Sequence, residues 1–265
     1  DKGRTVYRDP KEFFALTYPT FNLREMVKDI LLRLAGKNDK AVRQLELTYG
    51  GGKTHSLITL YHLVSAPDHL PDLPAVHEFR QHAGGMVPPK ARVVVLAFDK
   101  LDVEKGMEVR APDGGTRWLR HPWSVLAFQI AGADGLRLLH ADGKDAERES
   151  PPAENLVREL LEWPQKEGLA TLVLMDEVLM YAREKLGLDP AWRHRLQDFF
   201  QYLTQAATKV DRACVVASLL ATDPRKSDEL GKEIVQELYA IFRREKEEGI
   251  QPVEKQDVAE VLRRR

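Results

Sequence analysis

Three consecutive glycines, Gly50, Gly51 and Gly52, run directly into Lys53, Thr54 and His55. Glycines leave backbone N–H groups free to surround anionic oxygens. A lysine ammonium adds a point charge, a threonine hydroxyl can reach Mg²⁺, and a helix N-terminus favours anions. The alternating run from Leu45 leads into these glycines, and an amphipathic helical pattern follows them. Strand, glycine-rich turn and helix in that order make a phosphate-binding loop. One departure marks it as a variant: the usual first glycine, five positions before the last, is replaced by Leu47. The other reading of the same residues is a Gly-rich turn that caps an ordinary helix.

A phosphate loop needs a partner that holds the metal and prepares a water. Leu172-Val173-Leu174-Met175-Asp176-Glu177 has that form, an apolar strand delivering two carboxylates at its C-terminal end. Asp176 is expected to orient Mg²⁺ through its water shell, and Glu177 to act as general base. Ligands of an open α/β sheet gather at the carboxyl ends of its strands, which favours reading the two motifs as one site. A third apolar run ends in Ser218, with Thr222 beyond it. Both are candidates to sense a γ-phosphate, and simple strand-end polarity is the competing explanation. Arg225, Arg243 and Arg244 are candidates for an arginine finger, with nothing to choose among them. His55 reads equally as a phosphate contact or as a helix-surface residue. His62, His69, His77 and His82 lack the spacing of a zinc site. The one cysteine, Cys214, lies in an apolar run and reads as a small buried hydrophobe.

The elements that position these residues alternate between strand and helix. Asp9-Pro10 starts a short helix, and Leu23, Met26, Val27, Ile30, Leu31 and Leu34 repeat at helical spacing. Strands are expected at 44–48, 92–98, 171–175 and 213–220. Helices are expected at 54–64, near 76–81, and at 123–130, 153–166 and 192–209. A hairpin turning at Pro112-Asp113-Gly114-Gly115 is inserted after the second strand. The predicted class is α/β: a P-loop NTPase with a mostly parallel sheet flanked by helices, an inserted β-hairpin and a charged C-terminal helical segment. The expected division is an N-terminal helical segment over 1–40, an ATPase core over 41–225, and the start of a lid-like helical region over 226–265. Both ends read as cuts within a longer protein.

The chain has 265 residues, enough for a full core, with 43% hydrophobic and 31% charged residues. A net charge of −1 gives no global basic field for nucleic acid, although a local basic face is compatible with it. A lone cysteine allows no disulfide within the chain and fits a cytoplasmic setting. No stretch has the roughly 20 apolar residues of a membrane span, so no membrane partner is expected.

Beyond single motifs, Asp9 to Phe14 with Thr17-Tyr18, Leu45 to His55 and Leu60-Tyr61-His62-Leu63 form a wider pattern. Pro122-Trp123 to Ile130, Leu174 to Glu177, Val216 to Leu219 and Pro252-Val253 through Arg263 continue it. Over roughly residues 5–263 the chain resembles the large prokaryotic AAA-superfamily ATPases grouped as domain of unknown function 499. That resemblance implies an ATPase core within a much longer protein, often encoded beside DNA methyltransferases in phage-defence loci. It carries nucleotide and Mg²⁺ roles to Lys53, Thr54, Asp176 and Glu177. Glu46 departs from the neutral residue expected in the loop strand.

The expected function is an ATP-binding and ATP-hydrolysing motor or switch module, with ATP and Mg²⁺ as cofactors. A homo-oligomer, DNA and DNA-modification or defence proteins are the expected partners. The alternative is a nucleotide-dependent scaffold that binds partner proteins without hydrolysis. A phosphotransferase with the 103–118 insert as its lid is a weaker third reading. No guanine-reading Asn-Lys-x-Asp motif is present, which favours ATP over GTP.

Overall fold

A computed structural model describes residues 6–45, 52–219, 229–243 and 257–263. Four strands, β1 (Val42–Leu45), β2 (Ala91–Ala97), β5 (Ala170–Asp176) and β6 (Ala213–Ser218), pair in parallel in the order β1-β6-β5-β2. The β3 (Met107–Arg110) and β4 (Thr116–Leu119) strands form a separate antiparallel hairpin around the expected turn. The mixed α/β class with a mostly parallel sheet flanked by helices therefore holds.

Side-chain alternation along the strands divides the core in two. Leu45, Leu172, Leu174, Cys214 and Val216 face one layer. That layer is built from α1 (Pro10–Ala15), α2 (Phe21–Leu34), α3 (Lys53–Ser65) and α4 (Pro74–His82). Val94, Leu96, Val173, Met175, Val215 and Ala217 face the other. There α5 (Pro122–Leu138), α6 (Glu154–Glu162), α7 (Val178–Leu188), α8 (Trp192–Lys209) and α9 (Glu229–Phe242) cover the sheet. Strands β5 and β6 are buried on both faces, which explains their unbroken apolar sequences. Each fully buried leucine or valine contributes about 1.5–3 kcal/mol.

Local chemistry sets the helix boundaries. Asp9 accepts from the backbone N–H groups of Lys11 and Glu12 at 2.8 and 3.0 Å, and Pro10 occupies the first helical position. Thr20 caps α2 through the Leu23 N–H, so that helix begins at Phe21. Two differences from the sequence reading concern the second layer. Helix α5 runs on to Leu138, past the expected end at Ile130, through a kink at Ala131 and Gly132. Gly132 has φ 58°, and a Cβ on Gly135 would lie 2.1 Å from the Ala127 carbonyl oxygen. Only glycine permits a helix to break and re-pack on itself this closely. Helix α7 was not anticipated at all. It starts directly after Glu177, leaving no loop for the sequence to announce.

Strand β2 is an edge of the four-stranded sheet, and Gln129 of α5 covers its centre. The Val95 N–H donates to Gln129 Oε1 at 2.8 Å, and Gln129 Nε2 donates to the Val95 carbonyl at 2.9 Å. The side-chain amide stands in for a neighbouring strand and blunts that edge.

Candidate functional site

Register aligns the carboxyl ends of the four strands. Leu45 is opposite Ser218, Met175 opposite Ala217, and Asp176 opposite Ala97. Leu45, Ser218, Asp176 and Ala97 thus end their strands side by side. Helices α3 and α7 both start at this edge.

Helix α3 begins at Gly52, whose backbone is left-handed at φ 75°. Its carbonyl accepts from both the N–H and the hydroxyl of Ser56, each at 2.8 Å. Lys53 and Thr54 therefore occupy the first turn. Thr54 Oγ1 donates to Asp176 Oδ2 at 3.1 Å, joining residues 122 positions apart. The other carboxylate oxygen of Asp176 accepts the Glu177 N–H at 3.1 Å.

Glu177 has φ 59° and ψ 34°, the one non-glycine residue at positive φ among those described. A left-handed conformation costs an L-residue about 1–2 kcal/mol. Such strain concentrates at functional positions because the surrounding structure must hold it there. Two anchors do so here: Phe98 N–H donates to the Asp176 carbonyl at 3.1 Å, and Leu179 N–H donates to the Leu219 carbonyl at 3.1 Å. The Glu177 carboxyl is half-buried, and its Oε2 has no hydrogen-bond partner among the described residues. Burial raises its pKa above the ordinary carboxylate range, Asp176 and Asp99 raise it further, and Lys53 partly opposes them. Lys53, Asp176 and Glu177 thus share one electrostatic environment.

Ser218 ends β6 between these elements. It is fully buried, and its Oγ has no partner among the described residues. The sequence reading missed Asp99 as a neighbour of Glu177. It follows the apolar run Ala97-Phe98 just as Asp176 follows Met175, so the same strand-end signal was available.

His55 contacts the N-terminal segment. Its ring packs on Phe13 with centroids 4.4 Å apart, and its Nε2 is hydrogen-bonded to Thr17 Oγ1 at 3.1 Å. Thr17 gives its proton to the Phe13 carbonyl at 2.8 Å, so His55 is the donor. His55 thereby fastens α1 to the glycine-loop helix. His62, two turns on, bonds the Tyr7 carbonyl at 3.0 Å. Arg243 lies over the Tyr239 ring, 4.4 Å from its centroid. Cys214 is fully buried and its thiol is pushed up to about 12 by that burial. Gly50, Gly51, Glu46, Leu47, Thr222, Arg225 and Arg244 lie outside the described residues.

Fold and site together define an α/β protein whose polar groups converge at the carboxyl edge of a parallel sheet. The chain belongs to the DUF499 N-terminal domain family, whose model matches residues 2–249. No curated protein and no solved structure matches it. Among the described residues, no helix is long and apolar enough to cross a membrane.

Proposed function

We propose that this chain is a P-loop ATP-binding and ATP-hydrolysing module. The observation that carries the reading is the hydrogen bond from Thr54 to Asp176. It couples the first turn after the glycine run to the acidic end of an apolar strand 122 positions away. A Gly-rich turn that merely capped a helix has no reason to present its hydroxyl to that carboxylate. The strand order also supports the reading, because β6 separates the two motif-bearing strands and brings Ser218 between them.

The residues fit Mg²⁺ and a nucleotide. Thr54 and Asp176 offer hard oxygen donors at one point, as Mg²⁺ requires. When bound, Mg²⁺ supplies charge stabilisation at the phosphates. Lys53 contributes a fixed positive charge beside it, and the α3 N-terminus adds its backbone N–H groups. Glu177 takes the proton of the attacking water. Its raised pKa brings it closer to neutral, and its unpartnered Oε2 is left to accept that proton. Ser218 is left to hydrogen-bond the group being transferred or its water. The wider role as a motor or switch in a prokaryotic DNA-modification or phage-defence assembly rests on the family resemblance.

Calorimetric titration with ATP and Mg²⁺ tests the reading. Binding by the chain should be lost in Lys53→Ala and weakened in Thr54→Ala. Unchanged ATP affinity in Lys53→Ala would overturn the phosphate-loop assignment.

A further inference from the structure

A cavity lies on the α5–α9 side of the sheet, between the α5 N-terminus, the last turn of α7 and the first turn of α8. Its volume is about 360 Å³, within the range of small-molecule sites. Lys185 and His121 both line it. Lys185 stands two turns along α7 from Glu177, roughly 12 Å of helix by the standard rise. The cavity is therefore separate from the candidate phosphate site.

Lys185 is 9% exposed, and its ammonium donates to the Val103 carbonyl and lies 4.2 Å from the centroid of the Trp192 ring. No carboxylate among the described residues is within ion-pair distance of it. An ammonium has three donors, and burying one without a counter-charge is costly. Burial, then Arg120, lowers its pKa from the ordinary lysine range, while Asp189, Glu104 and Glu149, none of them in ion-pair contact with it, partly oppose that shift.

His121 is 4% exposed, and neither ring nitrogen has a hydrogen-bond partner among the described residues. The ring is held by stacking on Trp123 (5.2 Å, 17°) and on Trp192 (5.4 Å, 28°). The ring is thus held buried in the cavity wall, with Glu149 Oε2 3.5 Å from its Nε2. Arg120 and Arg195 complete the cationic side, Arg195 lying 5.2 Å from the Trp192 centroid.

The acids at the cavity are otherwise engaged or in water. Asp189 accepts the Ala191 N–H at 2.9 Å at the start of α8. Glu149 is 71% exposed and is 3.5 Å from both Arg120 and His121. Glu104 is exposed. Among the charged residues that line the cavity, Lys185 is the buried one, and the three carboxylates are exposed.

We propose that this cavity binds a small organic anion, its carboxylate or phosphate group seated on Lys185 with Arg195 at the rim, and a second polar group hydrogen-bonded to His121. The indole of Trp192 forms the apolar wall for the ligand's body. This site does not depend on the ATPase reading.

Tryptophan fluorescence gives the test, since two indoles flank His121. The chain carrying Lys53→Ala, which removes the phosphate-loop charge, is titrated with pyrophosphate and separately with citrate. A saturable change is expected with at least one, and which of the two distinguishes phosphate from carboxylate. Adding Lys185→Gln should weaken it about tenfold or more, the usual effect of removing a buried charge partner. Arg195→Gln, at the accessible rim, should weaken it by a smaller factor and keeps the test sharp if Lys185→Gln does not fold. No saturable change with either anion up to about 10 mM, or affinity in both Arg195→Gln and Lys185→Gln unchanged from that of the parent chain, would overturn the proposal.

Discussion

The two ends of the parallel sheet use their most buried polar side chains differently. At the amino end, Arg33 of α2 is 4% exposed and donates to four carbonyls: Ala213 at 3.0 Å, Asn38 at 3.0 Å, Ala207 at 2.9 Å and Val210 at 2.7 Å. One guanidinium ties the chain entering β1, the turn after α8 and the start of β6. Beside it Asp29 pairs with Arg43 and Lys40, each at 2.9 Å. At the carboxyl end, Glu177 Oε2 and Ser218 Oγ are buried with no partner among the described residues, and Glu177 is strained. Folded proteins satisfy nearly all buried polar groups, so the exceptions ask for an explanation. The amino end is built to hold the sheet together. The carboxyl end keeps unspent hydrogen-bonding capacity, and that capacity is what a ligand would use.

The comparison breaks most visibly at Glu177. Glu177→Gln keeps the shape of the side chain and removes its ability to take a proton. ATP binding should be retained while phosphate release falls by about 10²–10⁴-fold, the range for loss of a general base. That corresponds to about 3–5 kcal/mol in the barrier. Phosphate release measured at saturating ATP decides it, and near-normal turnover would remove Glu177 from the role of base.

Arg33→Met tests the other end and should affect a different observable. It leaves four carbonyls without their donor, at a cost of about 3–5 kcal/mol, the range for breaking a buried charged network. For a chain of this size the midpoint of thermal unfolding should fall by about 10 °C. Below the new midpoint, ATP affinity should remain near that of the unmodified chain. A stability loss confined to Arg33→Met and an activity loss confined to Glu177→Gln would establish the division between the ends.

How much of this contrast the sequence carries differs by end. The carboxyl-end residues announce themselves because their chemistry is local: glycines before Lys53, and two acids after an apolar strand. Strand identity was equally legible from the apolar runs around Val94, Val173 and Val215, but burial on both faces was not: β5 and β6 have it, whereas β2 is an edge strand with Val95 exposed. Arg33 looks like any charged residue on an amphipathic helix. Its four acceptors are backbone groups up to 180 positions away, which no local pattern encodes. The same holds for His55. Beside Thr54 it reads as part of the phosphate motif, and nothing in the sequence signals that its ring also packs on Phe13 of α1 and hydrogen-bonds Thr17 just beyond that helix. Helix α7 was missed because Glu177 starts it from a left-handed backbone rather than from a capping serine or aspartate. His121 and Lys185 lie 64 positions apart and meet only because α5 and α7 pack on one face of the sheet.

A smaller effect, of opposite sign in its two readouts, is expected at Ser218. An unpartnered buried hydroxyl destabilises the fold, so Ser218→Ala should raise stability by about 1 kcal/mol, a gain of about 2–4 °C. The same change should lower phosphate release by roughly tenfold, as one hydrogen bond to the reacting group is lost. Stability lost together with activity would mean that Ser218 is a structural residue. Stability gained with activity unaffected would leave its burial unexplained by catalysis.

The finest test uses pH. The Glu177 carboxyl titrates above its ordinary value of 4.5 because burial, Asp176 and Asp99 disfavour the charged form. The folded state therefore holds this proton more tightly than the unfolded chain. The stability linked to it is complete below the unfolded value and is lost as pH rises through the folded value. Glu177→Gln has no such proton, so its unfolding midpoint should gain on that of the unmodified chain as pH is raised across this interval. The gain should be smaller than that of Ser218→Ala, because Glu177 is only half-buried. Lys53 lowers the Glu177 pKa, so Lys53→Ala should move the interval to higher pH. An interval that stays fixed in Lys53→Ala would show that ammonium and carboxyl do not share a site, and the contrast between the two ends would lose its chemical basis.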